Sequence, residues 1–172
     1  MKSMLPFAKA HAYGNDFLYV RAEEVAGAPL DALAREMCDR HSGVGADGLI
    51  IYETTMGGAS MRLFNADGSR AEVSGNGVRG LAALLLQDIP SPRAELSIET
   101  ESGTKQLTRL RGSGSHQVFR AAMGLPSQLR QLVVTVPGES VRAVALNMGN
   151  PQCVVLGELP DEERFQIGRA HV

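Results

Sequence analysis

The residues best placed to do chemistry are Ser74, Gly75, Asn76 and Gly77, a polar turn that opens directly into the apolar run Val-Arg-Gly-Leu-Ala-Ala-Leu-Leu-Leu from Val78 to Leu86. Such a junction can cap a helix with its hydroxyl and amide. It can let a ligand approach the backbone at the glycines, and it aims unpaired N–H groups and the helix dipole at bound negative charge. A substrate carboxylate fits that description. Taken alone, the tetrapeptide reads first as an ordinary capped turn. The run behind it is apolar on nearly every side, which predicts an enclosed central helix over residues 75–87.

The elements that must position this turn can be read on either side of it. Short strands are expected over residues 17–20, 49–52 and 61–64, and an amphipathic helix over 30–39 entered after Pro29. Pro90 and Pro92 end the central helix. Hairpin-like segments follow at 96–99, 106–110 and 117–123, with Gly112-Ser-Gly-Ser115 as a loose turn between the last two. A first domain is expected over 1–124. Segments 132–136, 141–146 and 153–156 read as the opening strands of a second, similar domain over 125–166, whose exposed edges invite pairing with other chains.

Composition narrows the function. The length of 172 residues allows one domain and part of another, and 44% hydrophobic residues suffice for a core. A net charge of -2 gives no reason to expect nucleic acid or an anionic membrane as partner, so small polar substrates fit better. Two cysteines without repeated spacing argue against a disulfide framework and a zinc site. No run approaches the ~18 apolar residues of a membrane span, and the apolar stretch near Met1 is too short for a signal peptide. A cytoplasmic location is the expectation.

Further motifs give the turn a context. His11-Ala-Tyr-Gly-Asn-Asp-Phe17, Asp39-Arg-His-Ser-Gly-Val-Gly-Ala-Asp-Gly-Leu49, Phe64-Asn-Ala-Asp-Gly-Ser69, Ser74-Gly-Asn-Gly-Val-Arg79 and Met148-Gly-Asn-Pro-Gln152 fall in the order and spacing of the diaminopimelate epimerases. From about residue 4 to residue 158 the chain resembles that family. The resemblance implies an α/β (α+β) fold of two pseudo-symmetric domains, each a mainly antiparallel sheet rolled around a central helix. It also implies a cofactor-independent isomerase that interconverts LL- and meso-2,6-diaminopimelate in lysine and cell-wall precursor synthesis. In such enzymes two cysteines act on opposite faces of the α-carbon, one removing a proton and the other delivering one. No cofactor and no metal are implied, the partner is an amino-acid substrate, and a homodimer is compatible with the resemblance. Asn15, Asn65, Gly75, Asn76 and Asn150 match the family's substrate-contacting positions. Asn15, Asn65 and Asn150 can each instead close a turn.

The sequence departs from the family at the position of the first catalytic cysteine, which is Ser74. A thiol titrates near ~8.5 and is lowered at a helix N-terminus, whereas a serine hydroxyl needs an adjacent base. Three readings stay open: a branch that works with serine, a substitution that disables inversion, and a related one-thiol reaction. The second catalytic cysteine, with the residues that grip the far side of the substrate, belongs beyond residue 172, so these residues alone are expected to be inactive. Residues 167–172 read as a non-native tail. Gln152 stands where the family commonly has histidine, and Gly48 replaces a glutamine seen in some members.

Among the remaining groups, Cys38 and Cys153 are expected to be packed residues, and His11 and His41 structural ones. Asp47 and Asp67 read first as turn formers. Arg79 either neutralises buried carboxylate charge or pairs with Glu72. Two rival functions remain. Gly75-Asn-Gly-Val-Arg-Gly80 fits G-x-G-x-x-G, with Glu95 and Glu99 downstream as ribose-binding acids, but a polar stretch replaces the strand that a dinucleotide site needs before its glycines. The other rival is an impaired relative, kept as an amino-acid binding module or acting on a different amino acid.

Overall fold

Phe-Leu-Tyr-Val at 17–20 and Leu-Ile-Ile-Tyr at 49–52 do not alternate with polar residues, as strands with one wet face would. The computed structural model, which describes residues 4–136 and 139–155, shows why. Phe17, Tyr19, Ile50 and Tyr52 face one apolar cluster, while Leu18, Val20, Leu49 and Ile51 face another on the opposite side of the same sheet. Both faces are dry, so every position is apolar.

The chain divides into two units at Gly124. In the first, β1 (Ala8–Ala12), β2 (Asn15–Arg21), a 3-10 turn (Ala22–Val25), α1 (Leu30–Cys38), β3 (Gly48–Thr55) and β4 (Gly58–Asn65) are followed by the short β5 (Arg70–Ala71). Then come α2 (Gly75–Leu85), β6 (Glu95–Thr100), β7 (Gly103–Ser113) and β8 (His116–Ala122). The sheet order is β1-β2-β3-β4-β6-β7-β8, with β5 on β4. Most pairings are antiparallel, but β2 runs parallel to β3, and β4 to β6. Helix α2 touches β1 and β2 toward one edge of the sheet and β7 and β8 toward the other, so the sheet curls around it. Val78, Leu81 and Ala82 are fully buried there, as an all-round apolar helix requires. Helix α1 covers the outer face through Ala34, Met37 and Cys38.

β1 was not expected, because Ala-Lys-Ala-His-Ala has little strand propensity. Its register comes from the two-residue turn Tyr13-Gly14, whose φ of 55° and 84° are those of a hairpin that matches strand twist, pairing Ala12 with Asn15. β7 is longer than the sequence suggests, β8 is shifted by one residue, and their turn tightens to Gly114-Ser115.

Close approach explains the glycines inside α2. The Tyr19 hydroxyl donates to the Gly77 carbonyl at 3.1 Å, and a Cβ at Gly80 would overlap that same hydroxyl. At Gly77 a Cβ would stand 2.9 Å from Ile50 Cδ1. Gly80→Ala is therefore expected to destabilise the unit by about 1–3 kcal/mol through overpacking. Tyr19→Phe in the same chain should recover part of that loss in urea unfolding; an unchanged midpoint for Gly80→Ala would show that helix and sheet separate freely.

At the other end of α2, Arg109 is 1% exposed and gives its guanidinium to the carbonyls of Leu86, Ile89 and Ser91 and to Gln117 Oε1. The buried cation serves as the C-terminal cap.

The second unit contains β9 (Ser127–Val136), β10 (Glu139–Asn147) and β11 (Pro151–Val155), an antiparallel sheet in the order β11-β10-β9. The strands expected at 132–136 and 141–146 lie within β9 and β10, and all but the last residue of 153–156 lies in β11. Residues 156–172, including the expected tail, lie outside the described residues.

Candidate active site

Four chain segments meet at one end of the curled sheet. β2 begins at Asn15, β3 begins just after Asp47, β4 ends at Asn65, and α2 begins at Gly75. Register joins the first three: Gly48 pairs with both Phe17 and Asn65, the Asp47 N–H donates to the Asp16 carbonyl at 2.9 Å, and the Ala66 N–H donates to the Asp47 carbonyl at 3.1 Å. Side chains join the helix to them. Asn76 Nδ2 donates to Asn15 Oδ1 at 3.2 Å.

Ser74 is the N-cap of α2. Its backbone is extended, and its Oγ accepts from the Gly77 N–H at 3.0 Å, the expected capping bond. Among the described residues Oγ makes only that bond, so no imidazole or carboxylate stands ready to take its proton. The amides of Gly75 and Asn76 have no acceptor among the described residues, as expected of a first helical turn. A Cβ at Gly75 would meet only the Arg79 guanidinium and the Met123 methyl, each at 3.8 Å. The helix start is part-buried and open to a ligand beside residue 74.

The other candidate residues separate. Asn65 is exposed and closes its own turn: Nδ2 donates to Ser69 Oγ at 3.0 Å, and its backbone bonds both Ser69 and Gly68. Asp67 is the turn former expected, accepting from the Ser69 N–H at 2.8 Å. Asn150 belongs to the second unit, where its Oδ1 accepts from Gln152 Nε2 at 2.9 Å.

Several expectations need correction. Asp47 is a hub rather than a turn residue: it accepts from Asn15 Nδ2 at 2.7 Å, from the Asp16 N–H at 3.0 Å and from Arg40 at 3.0 Å. Arg79 bonds Asn76 Oδ1 at 2.8 Å, not Glu72, because the helical spacing of three residues puts Asn76 beneath it. His11 and His41 are exposed rather than packed. Cys153 is also exposed, because β11 is an edge strand with every residue at the surface. Cys38 is packed as expected, and burial, reinforced by the Asp16 charge, pushes its thiol up to about 11. The dinucleotide reading fails on topology and packing. β4 ends at Asn65, well before α2, and Gly77 and Gly80 are spaced to admit Ile50 and Tyr19. A strand parallel to β4 does follow the helix, contrary to expectation, but pairs only over Gly58–Ser60 with Ser97–Glu99.

No local pattern in the chain marks the ion cluster that braces this end. Asp16 binds Arg40 at 2.6 Å and Lys9 at 3.1 Å, partners that come from the loop after α1 and from β1. The Arg40 guanidinium, helped by Lys9 and the Asp47 backbone, holds the Asp16 carboxyl well below the usual carboxylate range despite partial burial. A carboxyl whose folded pKa is depressed stabilises fully above its unfolded value, about 3.9, and loses that contribution as pH falls toward the folded one. Stability should therefore drop on acidification below about pH 4. Urea unfolding of Asp16→Asn should show a shallower drop than wild type, and parallel profiles would remove Asp16 from the acid response.

No helix among the described residues is long and apolar enough to cross a membrane, and those residues hold no cluster of metal-ligating side chains.

A mainly antiparallel sheet curled about one enclosed helix is the architecture of solved racemases and epimerases. A probable proline racemase from Agrobacterium radiobacter superposes with a TM-score of 0.70 at 15% identity, over 88% of this chain and 52% of that one. A hydroxyproline epimerase from Agrobacterium vitis gives 0.69 at 14% identity, over 90% and 52%. These likenesses are of fold. The diaminopimelate epimerase family model matches residues 7–129, and the chain belongs to that family. The diaminopimelate epimerase of Pelotomaculum thermopropionicum is 35% identical over 93% of this chain and 63% of its own length. That of Moorella thermoacetica is 36% identical, over 88% and 60%. The chain thus spans 63% and 60% of the length of these two relatives.

Proposed function

We propose that the complete protein is a cofactor-independent amino-acid epimerase that interconverts LL- and meso-2,6-diaminopimelate in lysine biosynthesis, in the cytoplasm. The observation that carries this reading is the start of α2, where the two amides that follow Ser74 have no acceptor among the described residues and the Asn76 side chain joins that of Asn15. An α-proton is weakly acidic, and its removal places negative charge on the adjacent carboxylate. Fixed N–H groups of Gly75 and Asn76, with the helix dipole, stabilise that charge as it develops. Asn65 is assigned to contact with the substrate. Ser74 holds the position from which one face of the α-carbon is reached, and a thiol on the opposite face supplies the second proton transfer. These 172 residues alone are then expected to show no turnover.

A second reading has one specific observation behind it: among the described residues Ser74 Oγ has no base at hand, which suits a protein that binds an amino acid without inverting it. Isothermal titration of the complete protein with diaminopimelate, run beside solvent-deuterium exchange at the α-carbon, separates the two. Binding with exchange supports the epimerase and binding without exchange the binding module. Absence of both refutes each.

A further inference from the structure

We infer that Asp47 and Arg79 are positioning residues that fix the polarity of the Asn15 and Asn76 side-chain amides, so that each turns a spare N–H, and neither a carbonyl, toward a ligand at the start of α2. The inference rests on the carboxylate-binding reading above and specifies how the site selects that group.

Four side chains form a single hydrogen-bonded series. Arg79 donates to Asn76 Oδ1 at 2.8 Å, Asn76 Nδ2 donates to Asn15 Oδ1 at 3.2 Å, and Asn15 Nδ2 donates to Asp47 Oδ2 at 2.7 Å. An amide is nearly symmetric in shape and can sit either way round, but the two ends of this series cannot. A guanidinium only donates and a carboxylate only accepts. Turning Asn76 around would set its NH2 against the Arg79 N–H groups, and turning Asn15 around would set its oxygen against the Asp47 carboxylate. The ends therefore dictate the middle.

The consequence lies in what remains unused. Each amide nitrogen carries two hydrogens and spends one within the series, so one is left on Asn15 and one on Asn76, while each amide oxygen already accepts within the series, from Asn76 and from Arg79 respectively, and is directed along it. Added to the unpartnered backbone amides of Gly75 and Asn76, these make a surface of donors. Such a surface accepts a carboxylate and disfavours a carboxamide of the same shape, whose NH2 would meet N–H groups. Asp47 is itself held by Arg40 on Oδ1 and the Asp16 N–H on Oδ2, each at 3.0 Å, so the ion cluster on the strand ends supports the orientation.

Asp47→Asn tests this directly, because asparagine keeps the shape but can either donate or accept. Binding of diaminopimelate and of its carboxamide derivative, amidated at the carboxylate next to the inverted carbon, is compared in the complete protein. Wild type is expected to favour the carboxylate, and the double variant Asp47→Asn/Arg79→Met, which releases both ends of the series, to lower that preference about tenfold. Arg79→Met alone leaves the Asp16–Arg40 cluster and the Asp47 end in place and is expected to act in the same direction but less, and its urea midpoint beside that of Asp47→Asn separates misfolding from lost orientation. The amide orientations are read separately, without ligand, as couplings across the hydrogen bonds from Asn15 Nδ2 to the Asp47 carboxyl carbon and from Asn76 Nδ2 to the Asn15 carbonyl carbon. An unchanged carboxylate preference in folded variants, or absence of these couplings, overturns the inference. Couplings present in a wild-type protein that binds neither ligand would uphold the amide orientation and overturn the proposed function instead.

Discussion

Ser74→Cys is expected to raise the rate at which the complete protein exchanges the α-proton of diaminopimelate with solvent deuterium, by about 10²–10⁴-fold, the range a positioned general base contributes. The serine hydroxyl is fully protonated at neutral pH and, among the described residues, bonds only the Gly77 N–H, which it accepts at 3.0 Å. Nothing there removes its proton. A thiol in the same place titrates near ~8.5 before any perturbation, and the N-terminus of α2 favours its anion, so a substantial fraction is thiolate at pH 7. The substitution also exchanges a good N-cap for a poorer one, at a cost of about 1 kcal/mol that a thermal melt would register. Lower stability with faster exchange is the expected combination. Exchange that is unchanged or slower would show that the group at position 74 does not limit the reaction, and would favour the binding-module reading.

Arg109→Met is expected to be the most destabilising single change, at about 3–5 kcal/mol in urea unfolding, since several buried acceptors lose their donor at about 1–3 kcal/mol each. The guanidinium is 1% exposed, and among the described residues no carboxylate pairs with it. Its charge is instead absorbed by carbonyls at the C-terminal end of α2 and the loop beyond: Nε donates to Ser91, one terminal nitrogen to Leu86 and Gln117 Oε1 at 2.9 Å each, and the other to Ile89 and Ser91. Methionine fills similar space but leaves those acceptors dry and unpaired, which is the costly case for buried polar groups. Arg109→Lys should recover only part of the loss, since an ammonium cannot span acceptors set out for a planar fork. A loss below about 1 kcal/mol for Arg109→Met would mean that water replaces the guanidinium.

Both residues show where reading the chain succeeds and where it stops. Ser74 was legible because capping is local. The hydroxyl, the glycines and the apolar run that define the start of α2 lie within a few residues of each other, and so do the turn residues Asn65, Asp67 and Ser69. The doubly buried strands β2 and β3 were legible because an unbroken apolar run is a property of a single segment. Arg109 was not, because nothing within several residues marks it as a helix cap; its partners Leu86 and Ser91 lie 23 and 18 positions away. Asp47 escaped for the same reason. In the chain it is an aspartate before a glycine, and it becomes a hub only when parallel pairing of β2 and β3 brings it beside Asn15 and Asp16.

The amino-acid sequence by itself determined the enclosed helix, its capped and glycine-rich start, the strands around it and the family to which they belong, because periodicity, capping and motif order are written in consecutive residues. The tertiary structure alone decided which partners those groups have: Asn15 with Asp47, Tyr19 against Gly80, and Cys153 at a surface rather than in a core. Those choices follow from strand register and sheet curvature, which set distances between segments far apart in the chain and leave no trace in either segment alone.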